Sequence, residues 1–109
     1  MALLVRHGEV LGPLEVAGSV SARSKGLLGR DGIDGGLLLR PAMSVHTLGM
    51  RFALDLAYCD ADLVVVDITC MAPWRLGRPR LRSRSIIEAE AGTFARWRLQ
   101  AGDRLEIRP

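Results

Sequence analysis

The chain has 109 residues, within the usual span of one domain at ~100–200 residues, and on folding would bury roughly 60–70% of its extended surface. Apolar residues make up 49% and charged residues 25%, a balance too apolar for disorder, and no apolar run reaches the ~18–20 residues of a membrane-spanning helix. The net charge of +3 is carried by one segment: Arg75, Arg78, Arg80, Arg82 and Arg84 lie between Trp74 and Ser85 with no acid among them, and removing these five charges leaves −2 for the rest.

The opening Met1–Val5 run is cut short by Arg6-His7-Gly8-Glu9, too soon for a secretion-signal core, so the cytoplasm is the expected location. Residues 2–6 and 14–17 alternate loosely and read as two short strands around a Gly12-Pro13 turn. Ser19 is a candidate N-cap for a helix running to about Arg30, with Gly26 the weak point of its last turns. Gly29, Gly32, Gly35 and Gly36 punctuate a loop before Leu37–Leu39, a short buried strand that Pro41 ends. Two β-rich runs, Phe52–Cys59 and Leu63–Cys70, flank the turn cluster Asp60-Ala61-Asp62 and predict a hairpin. Pro73, Gly77 and Pro79 exclude a regular element from the arginine segment. Ser85–Ala91 reads as a strand, Thr93–Leu99 as one or two helical turns, and Leu105–Ile107 as a closing strand. The sum is a single-domain α+β fold on a mainly antiparallel, partly closed, barrel-like sheet.

Alternation of side chains predicts the hairpin register. Keeping the apolar face together pairs Phe52 with Cys70, Leu54 with Ile68, Leu56 with Val66 and Tyr58 with Val64. Asp55 then lies opposite Asp67, or diagonal to it one step along, and like charges so placed call for water, a cation or a proton. Cys59 and Cys70 do not face each other in either register, and two cysteines without metal-ligand spacing read as reduced thiols.

Three motifs stand in order along the chain. Arg23-Ser24-Lys25-Gly26-Leu27-Leu28-Gly29-Arg30 has the form R-x-x-G-L-x-G-R. His46-Thr47-Leu48-Gly49-Met50-Arg51-Phe52-Ala53-Leu54-Asp55 has the form H-T-x-G-M-R-x-x-x-D. Ile87-Glu88 to Gly92, followed by Gly102-Asp103, is the third. Together they resemble the domain of unknown function 192 family over about residues 20–109. The resemblance implies a compact β-rich fold with a small helix, and it implies no reaction. Relatives usually place glycine after the turn aspartate, where this chain has Leu63.

Several clusters are candidates for chemistry. Arg23 and Arg30, seven residues apart, would share a helix face and grip an anion, or else pair with Asp55, Asp67 or Glu88. His46, Arg51 and Asp55 form a second cluster, in which a carboxylate would orient a histidine for acid–base work. No serine or cysteine nucleophile is tied to it, His7 and His46 lie far apart, and no zinc spacing exists, so neither metal nor cofactor is expected. The Gly29–Gly36 loop follows a helix and precedes a strand, the reverse of phosphate-binding loops, and reads as turns. Trp97 and Phe94 read as core, and Met43, Met50 and Met71 as gap fillers.

The favoured reading is a non-catalytic binding domain. Its pocket, lined by Arg23, Arg30, His46, Arg51 and Asp55, would take a small anionic ligand or a protein partner. An enzyme of unassigned class using His46 and Asp55 is the first alternative. The second is a nucleic-acid or acidic-protein surface made by Trp74, Arg75, Arg78, Arg80, Arg82 and Arg84, less suited to nucleic acid because one aromatic accompanies five arginines. Strand edges at Leu37–Leu39 or Leu105–Ile107 offer pairing between chains.

Overall fold

In a computed structural model that describes residues 2–109, strands β1 (Ala2–Arg6) and β2 (Glu9–Ala17) lead into helix α1 (Val20–Lys25). Strands β3 (Gly36–Leu39), β4 (Leu54–Cys59), β5 (Val65–Met71) and β6 (Ser85–Glu90) follow, then helix α2 (Thr93–Trp97) and strand β7 (Leu105–Arg108). The seven strands form one sheet in the order β5-β4-β6-β3-β2-β1-β7. Every pairing is antiparallel except β2 with β3. The sheet curls into a half-barrel, and its two edges meet near one end. There the Val65 N–H donates to Asp103 O at 2.8 Å, Gly102 N–H to Val65 O at 2.7 Å, and Leu105 N–H to Leu63 O at 2.9 Å.

The first turn is not at Gly12-Pro13. His7 and Gly8 both take positive φ, 50° and 79°, as a two-residue type I′ hairpin turn requires, and β2 runs unbroken through Gly12 and Pro13. Pro13 lies where β2 changes partners, since pairing with β3 begins one residue later at Leu14. A Cβ at Gly35 would run into the Pro13 carbonyl, so glycine lets β3 start there.

Helix α1 starts as predicted, with the Ser19 hydroxyl accepting from the Ala22 N–H at 3.1 Å, but it stops at Gly26 rather than Arg30. The backbone there has φ 50° and ψ −126°, a conformation outside the regions open to residues with a Cβ.

The hairpin register also differs from expectation. Asp55 pairs with Cys70, Ala57 with Ile68 and Tyr58 with Asp67, before a bulge brings Cys59 opposite Val65. Alternation implies one wet face, yet all six residues of β4 are buried. Leu54, Leu56 and Tyr58 pack in one apolar cluster with Leu27, Leu37, Met50 and Ile86. Ala57 and Cys59 pack in the other with Leu4, Leu38, Ile87 and Phe94. With both faces covered, burial does not select the parity. Asp55 and Asp67 consequently lie on opposite faces and do not confront each other. Both cysteines are free. The Leu37–Leu39 strand, expected at an edge, is interior between β6 and β2; the edges are β5 and β7.

Candidate functional site

The segment after β5 lacks regular structure but is not loose. It runs beside residues 42–47 as an irregular ribbon. Thr47 N–H donates to Arg75 O at 2.8 Å, Gly77 N–H to Val45 O at 2.9 Å, Arg80 N–H to Met43 O at 2.9 Å and Ala42 N–H to Arg84 O at 3.0 Å. Thr47 is fully buried and pins the ribbon's root: its hydroxyl donates to Ala72 O at 2.7 Å and accepts from Arg75 N–H at 2.9 Å.

Between this ribbon and α1 lies an open cleft of about 520 Å³. Arg23, Lys25 and Leu27 stand on the helix side and Met43, His46 and Leu76 on the ribbon side, with Glu88 beneath. Met43, expected to fill a gap in the core, is 46% exposed in this wall, whereas Met50 and Met71 are core. The His46 ring fixes its own tautomer: Nδ1 accepts from Leu48 N–H at 3.2 Å, which leaves the proton of the neutral ring on Nε2.

Glu88 is the residue that sequence reasoning passed over, weighing it only as a partner for arginine. On β6 it lies between Leu37 of β3 and Leu56 of β4 and is 3% exposed. Burial pushes its carboxyl up to about 7, and only the Leu27 N–H works against that shift. Its Oε1 is buried without a hydrogen-bond partner. The available signal was an acid inside the apolar run Ile86-Ile87-Glu88-Ala89, where one side chain must face a core.

The five residues expected to share one pocket are divided. Arg23 and His46 line the cleft. Arg23 Nη1 is tied to Gly18 O at 2.6 Å and Arg40 O at 3.5 Å. Arg30, beyond the end of α1 and so on no common helix face with Arg23, grips Glu15 through two bonds of 2.8 and 3.1 Å. That pair holds the Glu15 carboxyl below its usual range. Arg51 is exposed and paired with Asp31 at 3.0 Å. Asp55 lies on the α2 side of the sheet, where its Oδ2 accepts from Gly92 N–H at 2.9 Å and Phe94 N–H at 3.0 Å. It ties down the entry to α2 and has no access to His46, so the acid–base pair loses its orienting carboxylate.

The arginine segment is likewise divided. Arg80 bonds Asp67 at 2.8 Å and covers the Tyr58 ring at 4.2 Å. Arg75 and Arg84 turn back onto backbone carbonyls of their own segment. Arg78 and Arg82 make no side-chain hydrogen bond or ion pair among the described residues. Trp74 before the first arginine, and Leu76 and Leu81 between them, stand at 66%, 76% and 80% exposure.

The sequence model of DUF192, described as an Uncharacterized ACR, matches residues 4–107. The chain belongs to the domain of unknown function 192 family. The match takes in β1 and β2 as well as the three motifs. Two UPF0127 proteins are similar over 63 residues: one from Pyrococcus furiosus at 38% identity, covering 58% of this chain and 54% of that one, and one from Pyrococcus horikoshii at 33%, covering 58% and 55%. The matched stretch thus spans about half the length of these relatives. Two crystal structures share the fold. A protein of unknown function from Novosphingobium aromaticivorans superposes with a TM-score of 0.81 at 20% identity, over 96% of this chain and 82% of that one. A Sinorhizobium meliloti protein, described only provisionally as a transcription regulator, gives 0.79 at 22%, over 96% and 90%. No helix among the described residues is long and apolar enough to cross a membrane.

Proposed function

We propose that this DUF192 chain is a binding domain without chemistry of its own, taking a small anionic ligand in the cleft between α1 and the ribbon. One observation carries the reading. Three nitrogen-bearing side chains, Arg23, Lys25 and His46, stand in the walls of a cavity of about 520 Å³, and none of them forms an ion pair among the described residues. That volume is typical of small-molecule sites, and apolar Leu27, Leu39 and Met50 beside a few polar groups are the usual lining. A carboxylate or phosphate would meet charged donors at the rim, and His46 would contribute Nε2–H. The test is an amide-shift titration of labelled protein with inorganic phosphate and short carboxylates. Shifts clustered at residues 23–28 and 42–50, lost in Arg23→Ala/Lys25→Ala, support the reading. Equal binding by that double variant overturns it.

The ribbon favours a second reading, an electrostatic docking surface for an acidic protein segment. Exposed Leu76 and Leu81 have no counterpart on a phosphate backbone but suit an acidic chain that also carries apolar side chains. Binding of an acidic, leucine-containing peptide should weaken steeply with salt and fail in Arg78→Ala/Arg82→Ala. Flat salt dependence ends this reading.

A further inference from the structure

A buried carboxyl with an unpaired oxygen destabilises the fold, and an aliphatic residue at position 88 would avoid the cost. Among the described residues no cation offsets it: burial of Glu88 is opposed by the Leu27 N–H alone. Arg80 is engaged with Asp67, Arg30 with Glu15, and Arg23 with two carbonyls. The backbone above Glu88 is kept bare, because a Cβ at Gly26 would come within 3.0 Å of its Oε1. The carboxyl borders the cleft, and rotation about its terminal torsion, which is soft, presents either oxygen to an occupant. Oε1 has no protein partner and Glu88 lines the cleft, so an occupant of the cleft is placed to supply the missing donor.

Resting on the small-anion reading above, we propose that the ligand is a zwitterion, with its ammonium on Glu88 and its carboxylate or phosphate on Arg23, Lys25 and His46. An ammonium rather than a hydroxyl is favoured because it provides the counter-charge that the chain withholds from Glu88. The apolar lining of the same cleft, Leu27, Leu39 and Met50, suits a short methylene spacer.

The experiment compares four five-carbon probes by calorimetry at pH 7.5: 5-aminopentanoate, 5-hydroxypentanoate, glutarate and 1,5-diaminopentane. Amino acids of three, four and six carbons cover other spacings. The best amino acid should bind about tenfold or more tightly than glutarate and the hydroxy acid, the size of one charge-assisted hydrogen bond. Glu88→Gln should erase that preference while glutarate binding persists, and its amide spectrum reports whether it is folded. If glutarate or the hydroxy acid binds as well as every amino acid, the zwitterion is refuted and the small-anion reading stands. If only inorganic phosphate binds, the zwitterion is refuted and the small-anion reading stands; if the diamine binds best, or neither these probes nor phosphate binds, both fall.

Discussion

Glu88 sets a pH dependence of stability whose size follows from its surroundings. Its carboxyl titrates at about 7 in the folded protein against an ordinary 4.5 in the unfolded chain. Between these values the folded form holds a proton that the unfolded form has lost. Stability from this group is thus fully present below pH 4.5, declines as pH rises, and is gone above about 7. The gap corresponds to about 3 kcal/mol at 1.36 kcal/mol per pKa unit. Glu88→Gln fills the same space and titrates nothing, so its stability relative to wild type should climb by up to this amount between pH 4.5 and 8. For a domain of this size that is on the order of 10 °C in Tm. Urea unfolding at pH 4.5, 6 and 8, followed by tryptophan fluorescence, measures it. Glu15, held below its usual range by Arg30, titrates alike in both proteins and cancels in the difference. Parallel profiles for the two proteins would refute the reasoning, as they would mean that Glu88 is paired or solvated.

Two further perturbations probe the elements that frame the sheet. Asp55→Ala removes the acceptor for both the Gly92 and Phe94 N–H groups and should cost about 2–4 kcal/mol in urea unfolding. Burial, and after it the Asp55 carboxylate, raises the Cys70 thiol, so the same variant should speed alkylation of Cys70 at pH 8. Gly26→Ala puts a Cβ where φ is 50° and ψ is −126°, against Glu88, and should cost about 1–3 kcal/mol or more. An unchanged unfolding midpoint would mean that α1 does not end as described.

How much of this was legible in the sequence depends on whether one residue's neighbours lay nearby along the chain. The Ser19 cap, the Asp60–Asp62 turn and the mixed α+β layout rest on local preferences, and all three were readable. Asp60 Oδ1, for instance, accepts from the Asp62 and Val64 N–H groups inside its own turn. The register of β4 was not readable, because α2, some 40 residues later, covers the face that was taken to be wet. The candidate pocket divided for the same reason. Arg23 and His46 meet because the ribbon folds a distant segment against α1, whereas Asp55 was drawn to the far face by α2. Glu88 was visible only as an anomaly, an acid in an apolar strand, and its meaning required knowing what lay above it.

Leu63 shows how the hairpin turn and the barrel's seam are tied together. It takes φ 61°, a left-handed conformation that disfavours a branched aliphatic side chain by about 1–2 kcal/mol. Its side chain packs half-buried on the core cluster under the seam, and its carbonyl accepts the Leu105 N–H that joins β7 across the barrel's opening. Leu63→Gly relieves that strain, but glycine adds about 0.5–1 kcal/mol of freedom to the unfolded chain. The strain is the larger of the two, and the surplus is offset by the lost half-buried leucine, about 1 kcal/mol. The glycine variant should therefore match wild type in global stability to within about 1 kcal/mol, while the seam amides of Val65 and Leu105, no longer covered by the leucine, should exchange with solvent faster. A variant as stable as wild type, with unchanged exchange at those amides, would show that the leucine adds nothing to closure and that the turn alone holds the two edges together.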